Sequence, residues 1–229
     1  MNSYDLLSDS HLNPEHLQGI VSGTLSLENE LVYFKHWKGC PECRKKLMQK
    51  MSSAGFNLSA FYLRTVQVCS VESVISFHFA IGESGVLAAS FTLQNLREII
   101  RRDPNVNVNL ESSEFQTNIS GQIDSWLRTG VQFNRTRINT TLIGTAFMLQ
   151  VLYRTWLIPF GQIITYGDIA RWMNKPGASR AVGRALHNNP IPVFIPCHRV
   201  VGKDGNLTGF SAGLGLKKQL LRLEGHRIE

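Results

Sequence analysis

Residues 165–190 read TYGDIARWMNKPGASRAVGRALHNNP, two short helical runs parted by a break rich in Pro and Gly. Thr165 suits the cap of the first run, and Asp168 stands where a capping-box partner reaches back to it. Ser179 opens the second run, which Pro190 stops. The pattern predicts helices over 166–173 and 179–187, and the NKPGA between them has the length used in helix-turn-helix modules. The second helix has an unusual composition. Ala181, Gly183 and Ala185 are small, while Arg180, Arg184 and His187 are basic or potentially so. A small-residue surface lets a helix approach a groove closely. The competing reading is a helix packed tightly in the core, with its arginines in solvent.

Immediately downstream, residues 192–201 read PVFIPCHRVV. A cysteine kept for packing needs apolar neighbours, whereas a nucleophilic one needs groups that favour its thiolate. A free thiol, with a pKa of about 8.5, is mostly protonated at neutral pH and needs a base or a cationic neighbour. His198 adjoins Cys197 but cannot face the same way in an extended chain, so a turn after Pro196 or a bridging water must connect them. Glu224 closes the last helical run, GLGLKKQLLRLEG, where the helix dipole disfavours a carboxylate and calls for a compensating partner. His198 fits that need. Each residue also has a plainer reading: His198 on the surface beside Arg199, Glu224 as an exposed helix-end charge, Tyr166 packed on Trp172 or Phe160. Asn189 before Pro190 is common turn chemistry. Arg180 near a helix start opposes the dipole, which favours an external anion or a base-stack role over helix stability. Gly205 is a candidate for positive φ in the KDGN turn.

Upstream, TAFMLQVLYRTWLIPFG places Phe147, Val151 and Leu152 on one side, with Thr145 as the cap and Pro159 as the limit. Residues 131–143 lack strong periodicity and read as a linker. Before them, SVISFHFAIGESGVLAASF reads as two strands around a Gly-Glu-Ser-Gly turn. Leu93 to Arg102 and Ile119 to Leu127 have helical spacing. In WKGCPECRKKLMQKM, Pro41 suits the first turn of a basic helix. The expected organisation is α+β: an N-terminal domain over 1–130, a linker over 131–143, and a mainly helical domain with a helix-turn-helix over 144–229.

The charge is divided unevenly. Residues 1–140 carry 13 Lys and Arg against 13 Asp and Glu, whereas residues 141–229 carry 11 against 4, the whole of the net +7. The basic surface therefore belongs to the C-terminal part, which points to a polyanion such as nucleic acid. At 229 residues and 43% hydrophobic content the chain is not compositionally disordered. Four cysteines are too few for a disulfide scaffold, and no window approaches a membrane span, so the expectation is an intracellular protein of the cytoplasm or nucleus.

The stretch from Gly144 to Gly225 closely resembles the O6-alkylguanine-DNA alkyltransferases, also called methylated-DNA–protein-cysteine methyltransferases. The resemblance rests on GTAF, IPFGQIITYGDIA, RAVGRALHNNPIPVFIPCHRVVGKDGNLTGF and KKQLLRLEG in register, with looser agreement through LREIIRR and GQIDSWLRTGVQF. It implies a variable N-terminal α/β domain of RNase H-like fold ahead of the helical domain. It also implies single-use transfer of an alkyl group from O6-alkylguanine, and from O4-alkylthymine, to Cys197 after nucleotide flipping. On this resemblance His198 removes the thiol proton through a water, Glu224 holds the histidine, and Asn189 braces the active-site turn. Tyr166 donates to the departing guanine, Arg180 enters the base stack, and Ser211 hydrogen-bonds near the lesion oxygen. Ser179, Ala181, Gly183 and Arg184 join Arg180 on the DNA-facing helix. The implied partner is double-stranded DNA, with no membrane, no required cofactor and a monomeric protein.

The chain departs from the family pattern at Met148 for glutamine, Leu152 for tryptophan, Phe210 for tyrosine and Ala212 for glycine. These changes alter pocket size and the tolerated alkyl group, and they leave the chemistry in place. Cys40 and Cys43 form half of a zinc site, which Cys69 with His36 or His78 would complete as a structural metal; the pair also reads as a redox motif or as two ordinary thiols. Three other functions fit parts of the pattern. They are a thiol hydrolase using Cys197 and His198, a DNA-binding damage sensor without transfer, and a regulator whose N-terminal cysteines sense alkylation.

Overall fold

A computed structural model describes residues 40, 42–43, 45–46, 49, 60–69, 74–82, 85–102, 107–109, 125, 138 and 142–228. The chain divides into two compact units, Met1–Leu58 and Ser59–Glu229. In the first unit, Glu42, Cys43, Lys45, Lys46 and Gln49 are helical, and Lys46 pairs with Glu42 at 2.8 Å across one turn.

The second unit begins with a four-stranded sheet ordered β3-β2-β1-β4. Its strands are β1 (Ala60–Cys69), β2 (Val74–Gly82), β3 (Gly85–Ser90) and β4 (Asn107–Asn109). β1, β2 and β3 are antiparallel neighbours, whereas β4 runs parallel to β1. The expected strand pair is therefore present as β2 and β3. The helix expected from Leu93 is α1 (Leu93–Ile100), capped by the Thr92 hydroxyl, which accepts from Asn95 N at 3.2 Å. Leu96 packs with Ala80, Leu87, Ala88 and Leu142 in one buried cluster. Strand side chains alternate between faces. Phe77 and Phe79 thus leave the opposite face of β2, where both rings meet Phe194. A backbone bond from Ala89 N to Pro190 O, 2.8 Å, ties β3 to the segment before Cys197. The helix expected over 119–127 and the linker over 131–143 lie almost wholly outside the described residues. Ser125 is helical and Ile138 bridges to Val86.

The helical part follows the sequence pattern closely. α2 (Ala146–Trp156) is capped by Thr145, which accepts from Met148 N at 3.1 Å, and ends before Pro159. Val151 and Leu152 are buried, while Phe147 is half-buried. α3 (Tyr166–Trp172) carries the full capping box between Thr165 and Asp168. α4 (Ser179–His187) starts after Ala178 with no side-chain cap and no acidic residue in its first turn. α5 (Leu214–Leu223) closes the chain and ends at Glu224. Between α2 and α3 lies β5 (Ile164–Thr165), which pairs in parallel with β6 (Val200–Val201). This pairing sets the first residue of α3 beside the end of the Cys197 turn. Among the described residues no helix is long and apolar enough to cross a membrane.

The capping box yields a direct expectation. Replacing Thr165 by Ala leaves the Asp168 N–H in the first turn of α3 without its partner and lowers stability by about 1 kcal/mol. Equilibrium urea unfolding should show a lower midpoint with an unchanged slope.

Candidate active site

All ten residues of 191–200 are buried, so the thiol and both of its basic neighbours lie inside the protein. The plainer reading of His198 as a surface residue fails, since its side chain is fully enclosed. Pro196 ends the extended run, and Cys197–Arg199 form a single 3-10 turn closed by Arg199 N donating to Pro196 O at 2.9 Å. The turn expected after Pro196 is therefore real. It separates the Cys197 and His198 side chains from the alternation an extended chain would impose.

Asn189 braces this turn from the far side of the loop. Its Nδ2 donates to Cys197 Sγ at 3.2 Å and to Ile195 O at 3.0 Å, while its Oδ1 accepts from Ile191 N at 3.0 Å. Both ends of the amide are used, so its orientation is determined. Burial pushes the Cys197 thiol up, opposed by the Asn189 hydrogen bond, by the charge of Lys217 and by backbone donors. The resting site thus holds a thiol that needs a base to become a thiolate.

His198 Nε2 lies 2.8 Å from Glu224 Oε1. Burial lowers the imidazole pKa, and the hydrogen bond and charge of Glu224 oppose that shift without reversing it. A neutral imidazole with its Nε2 proton donated to the carboxylate carries its lone pair on Nδ1, which suits a general base. Glu224 is itself buried. Arg199 Nε reaches its two oxygens at 3.0 and 2.9 Å, Arg199 Nη2 reaches Oε1 at 2.9 Å, and Gly161 N donates to Oε2 at 3.1 Å. Burial alone would raise the carboxyl, but the hydrogen bonds and charges of His198 and Arg199 outweigh it and hold the pKa at about 2.

Two of these partners were not legible in sequence. Arg199 flanks the thiol in the chain, yet its guanidinium serves Glu224 and the carbonyl of Ile158. Lys217 supplies the charge that favours the Cys197 thiolate. It is fully buried, its Nζ donating to Val200 O at 2.6 Å and Thr208 O at 3.1 Å and lying 5.8 Å from the centre of the Tyr166 ring. Burial lowers its pKa to about 8. A pattern signal for Lys217 exists, because Leu220, Leu221 and Glu224 follow it at helical spacing on the same buried stripe.

Tyr166 opens α3 and is half-buried. Its hydroxyl donates to Thr208 O at 2.8 Å and lies 3.3 Å from Gly209 O, which binds the 208–211 segment to the site. A Cβ on Gly183 would stand 3.7 Å from the Tyr166 ring, an ordinary packing distance, so this side of α4 faces the phenol. Ala185 is buried in the core, whereas Ala181, Arg180, Arg184 and His187 are exposed and Ser179 is half-buried. The outer face of α4 is accordingly basic, with one small residue. Ser211 is exposed beside Phe210. The structure thus gathers Cys197, His198, Glu224, Asn189 and Tyr166, and sets the α4 residues on an adjoining face. Among the described residues no group of three or more His, Cys, Asp or Glu is placed to hold a metal ion. His36 and the side chain of Cys69 lie outside the described residues.

Comparison with known proteins agrees with this arrangement. Residues 146–226 match the model of the 6-O-methylguanine DNA methyltransferase, DNA binding domain. The chain is 40% identical over 116 residues to the methylated-DNA–protein-cysteine methyltransferase of Methanosarcina acetivorans, covering 51% of this chain and 73% of that protein. The chain belongs to the methylated-DNA–protein-cysteine methyltransferase family. The family relative from Mycobacterium leprae is 45% identical over 91 residues, 40% of this chain and 55% of its own length. In three dimensions the chain is similar to a Mycobacterium tuberculosis OGT in complex with DNA, with a TM-score of 0.58 and 29% identity over 72% of this chain and 93% of that one. It is also similar to the O6-methylguanine-DNA methyltransferase of Pyrococcus kodakaraensis, with a TM-score of 0.59 and 28% identity over 72% and 99%.

Removing the buried carboxylate tests the electrostatic core of this family site. Glu224→Gln should cost about 3–5 kcal/mol at pH 7, because Arg199 is left without its buried counter-charge. Since the folded pKa of about 2 lies below the ordinary 4.5, Glu224's contribution is complete above pH 4.5 and declines as the pH falls towards 2. Urea unfolding of parent and variant at several pH values should show the two curves converging over that window.

Proposed function

We propose that the protein reverses DNA alkylation directly, taking the alkyl group from O6 of guanine in double-stranded DNA onto Sγ of Cys197. O4-alkylthymine, which presents the same kind of alkyl–oxygen bond, is a second substrate. The observation that carries this reading is a buried thiol held by Asn189, beside a neutral His198 locked to Glu224, within a helical unit whose exposed α4 face is basic.

The chemistry follows from those groups. His198 Nδ1 takes the Cys197 proton through an intervening water, and the resulting imidazolium is stabilised by Glu224. Lys217 favours the thiolate. The sulfur attacks the alkyl carbon, the carbon–oxygen bond breaks, and its electron pair leaves with guanine. A proton delivered from the Tyr166 side balances the departing base. The thiol proton is in effect transferred to guanine and the sulfur ends as a thioether. Water does not displace an alkyl thioether under mild conditions, so each molecule reacts once.

The target carbon lies inside the base stack, so the nucleotide must be turned out into the site. Arg180, exposed at the start of α4, is the side chain that fills the vacated space in this reading. Ser179, Ala181, Gly183 and Arg184 share or support that face. The uncapped N-terminus of α4 offers backbone donors to a phosphate oxygen. Ser211 on the 208–211 segment is suited to hydrogen-bond near the lesion oxygen. Every group of the site comes from one chain, so a monomer suffices, and a thiol acceptor suits a reducing compartment, cytoplasm or nucleus.

Incubation with excess duplex containing one O6-methylguanine should add one methylene mass per protein molecule, confined to the peptide holding Cys197 and absent in Cys197→Ser. Tight binding to the lesion with no mass gain would mark a sensor instead. Arg180→Ala should slow transfer from duplex DNA by roughly tenfold or more, the equivalent of losing part of the base-extrusion energy. Its rate with free O6-benzylguanine should stay near that of the parent.

A further inference from the structure

A chain of phenylalanine rings runs from the sheet to Phe194, on the segment that leads into Cys197, and to Phe210, on the segment held by Tyr166 and Lys217. Phe194, three residues before Cys197, lies 5.8 Å from Phe77 and 5.7 Å from Phe79, centre to centre. Phe77 lies 5.4 Å from Phe91, and Phe91 lies 6.3 Å from Phe210 with the planes tilted by 56°. All four spacings fall within the range of attractive ring contacts. Phe77, Phe79 and Phe194 are buried, which anchors the inner end, while Phe91 and Phe210 are half-buried at the outer end.

Phe91 is itself well fixed. It joins β3 to α1, between Ser90, whose strand pairs with β2, and Thr92, whose hydroxyl caps α1. Phe210 belongs to the segment that Tyr166 and Lys217 hold through the carbonyl of Thr208. That segment is otherwise secured by short local bonds, such as Gly213 N to Phe210 O at 3.0 Å, and passes through Gly209 at φ +49°. A loop of this kind takes its lateral position from what stands behind it. For Phe210, that support is the ring of Phe91.

We infer that Phe91 is a positioning residue for substrate choice, setting through Phe210 the room left for the alkyl group beside Cys197. The inference rests on the alkyl-transfer reading above and deepens it, because it brings the sheet into the specificity of a site otherwise built from the helical part. Without the Phe91 ring, Phe210 is free to fall back towards Phe77 and the pocket widens. A bulky alkyl group then gains relative to methyl.

The test compares second-order rate constants for alkylation of Cys197 by duplexes carrying O6-methylguanine or O6-benzylguanine, followed by intact mass. Phe91→Ala should raise the benzyl-to-methyl ratio by roughly tenfold, the scale on which apolar pockets discriminate size. Phe91→Leu, which keeps part of the apolar bulk but not the ring, should give an intermediate ratio, roughly threefold above the parent's. Phe210→Ala should raise the ratio as well, and adding Phe91→Ala to it should change little, since Phe91 acts through Phe210. A merely structural role would lower both rate constants together and leave the ratio at the parental value, which overturns the inference. An unchanged effect of Phe91→Ala in the Phe210→Ala background would also overturn it. If Phe91→Ala does not fold, Phe91→Leu decides: a ratio roughly threefold above the parent's supports the inference and an unaltered ratio defeats it. Failure of the parent to take up either alkyl group would instead sink the reading of function itself.

Discussion

A carboxylate enclosed in protein is expensive unless every charge and lone pair around it is answered. Glu224 meets that condition with Arg199, His198 and the backbone of Gly161. Those three partners come from the Cys197 turn and from the loop after α2, while Glu224 comes from the end of α5. One side chain therefore joins three separate parts of the helical unit. It also sets the chemistry of the site. Burial keeps the imidazole neutral and able to accept a proton, and the charge of Arg199 adds to that effect against the pull of the carboxylate.

A second set of contacts fixes where the reacting groups stand. Pairing of Ile164 with Val200 and Thr165 with Val201 brings the start of α3 to the end of the Cys197 turn. Tyr166 follows at once, and the capping box turns the chain into a helix at that point. Lys217 then bridges the carbonyls of Val200 and Thr208, so the end of the Cys197 turn and the 208–211 segment are held by one buried ammonium. Its charge also opposes the rise in thiol pKa caused by burial. Rigidity of this kind is what an in-line displacement requires, because the sulfur must meet the alkyl carbon in a narrow range of geometry.

Several local features were legible in the order of residues. Thr145 and Thr165 act as caps, Asp168 reaches back, Gly205 has φ +76°, and Pro196 turns the chain at the thiol. Each depends on neighbours within a few positions, where sequence spacing and spatial spacing are nearly the same. The pairing of Glu224 with His198 was also accessible, since a carboxylate at a helix end needs compensation. Its pairing with Arg199 was not. Arg199 adjoins the thiol pair in sequence and so reads as a group acting on it, whereas the 3-10 turn sends its guanidinium away to Glu224 and the carbonyl of Ile158. Lys217 adjoins Lys218 in sequence, and only its helical phase with Leu220 and Leu221 marks it as buried.

The sequence alone set a cysteine and a histidine side by side after Pro196, marked the helix-turn-helix with its basic second helix, and concentrated the positive charge in the last ninety or so residues. These are properties of residue type and short-range spacing, so they survive without coordinates. Tertiary structure alone decided which cation serves the carboxylate and which serves the thiol. It also decided that Gly183 faces the Tyr166 ring, that rings of the sheet reach Phe194, and that Phe91, just after β3, reaches Phe210. Such contacts join residues separated by tens to more than a hundred positions. They exist because packing a compact interior brings together groups whose distance along the chain carries no information about their distance in space.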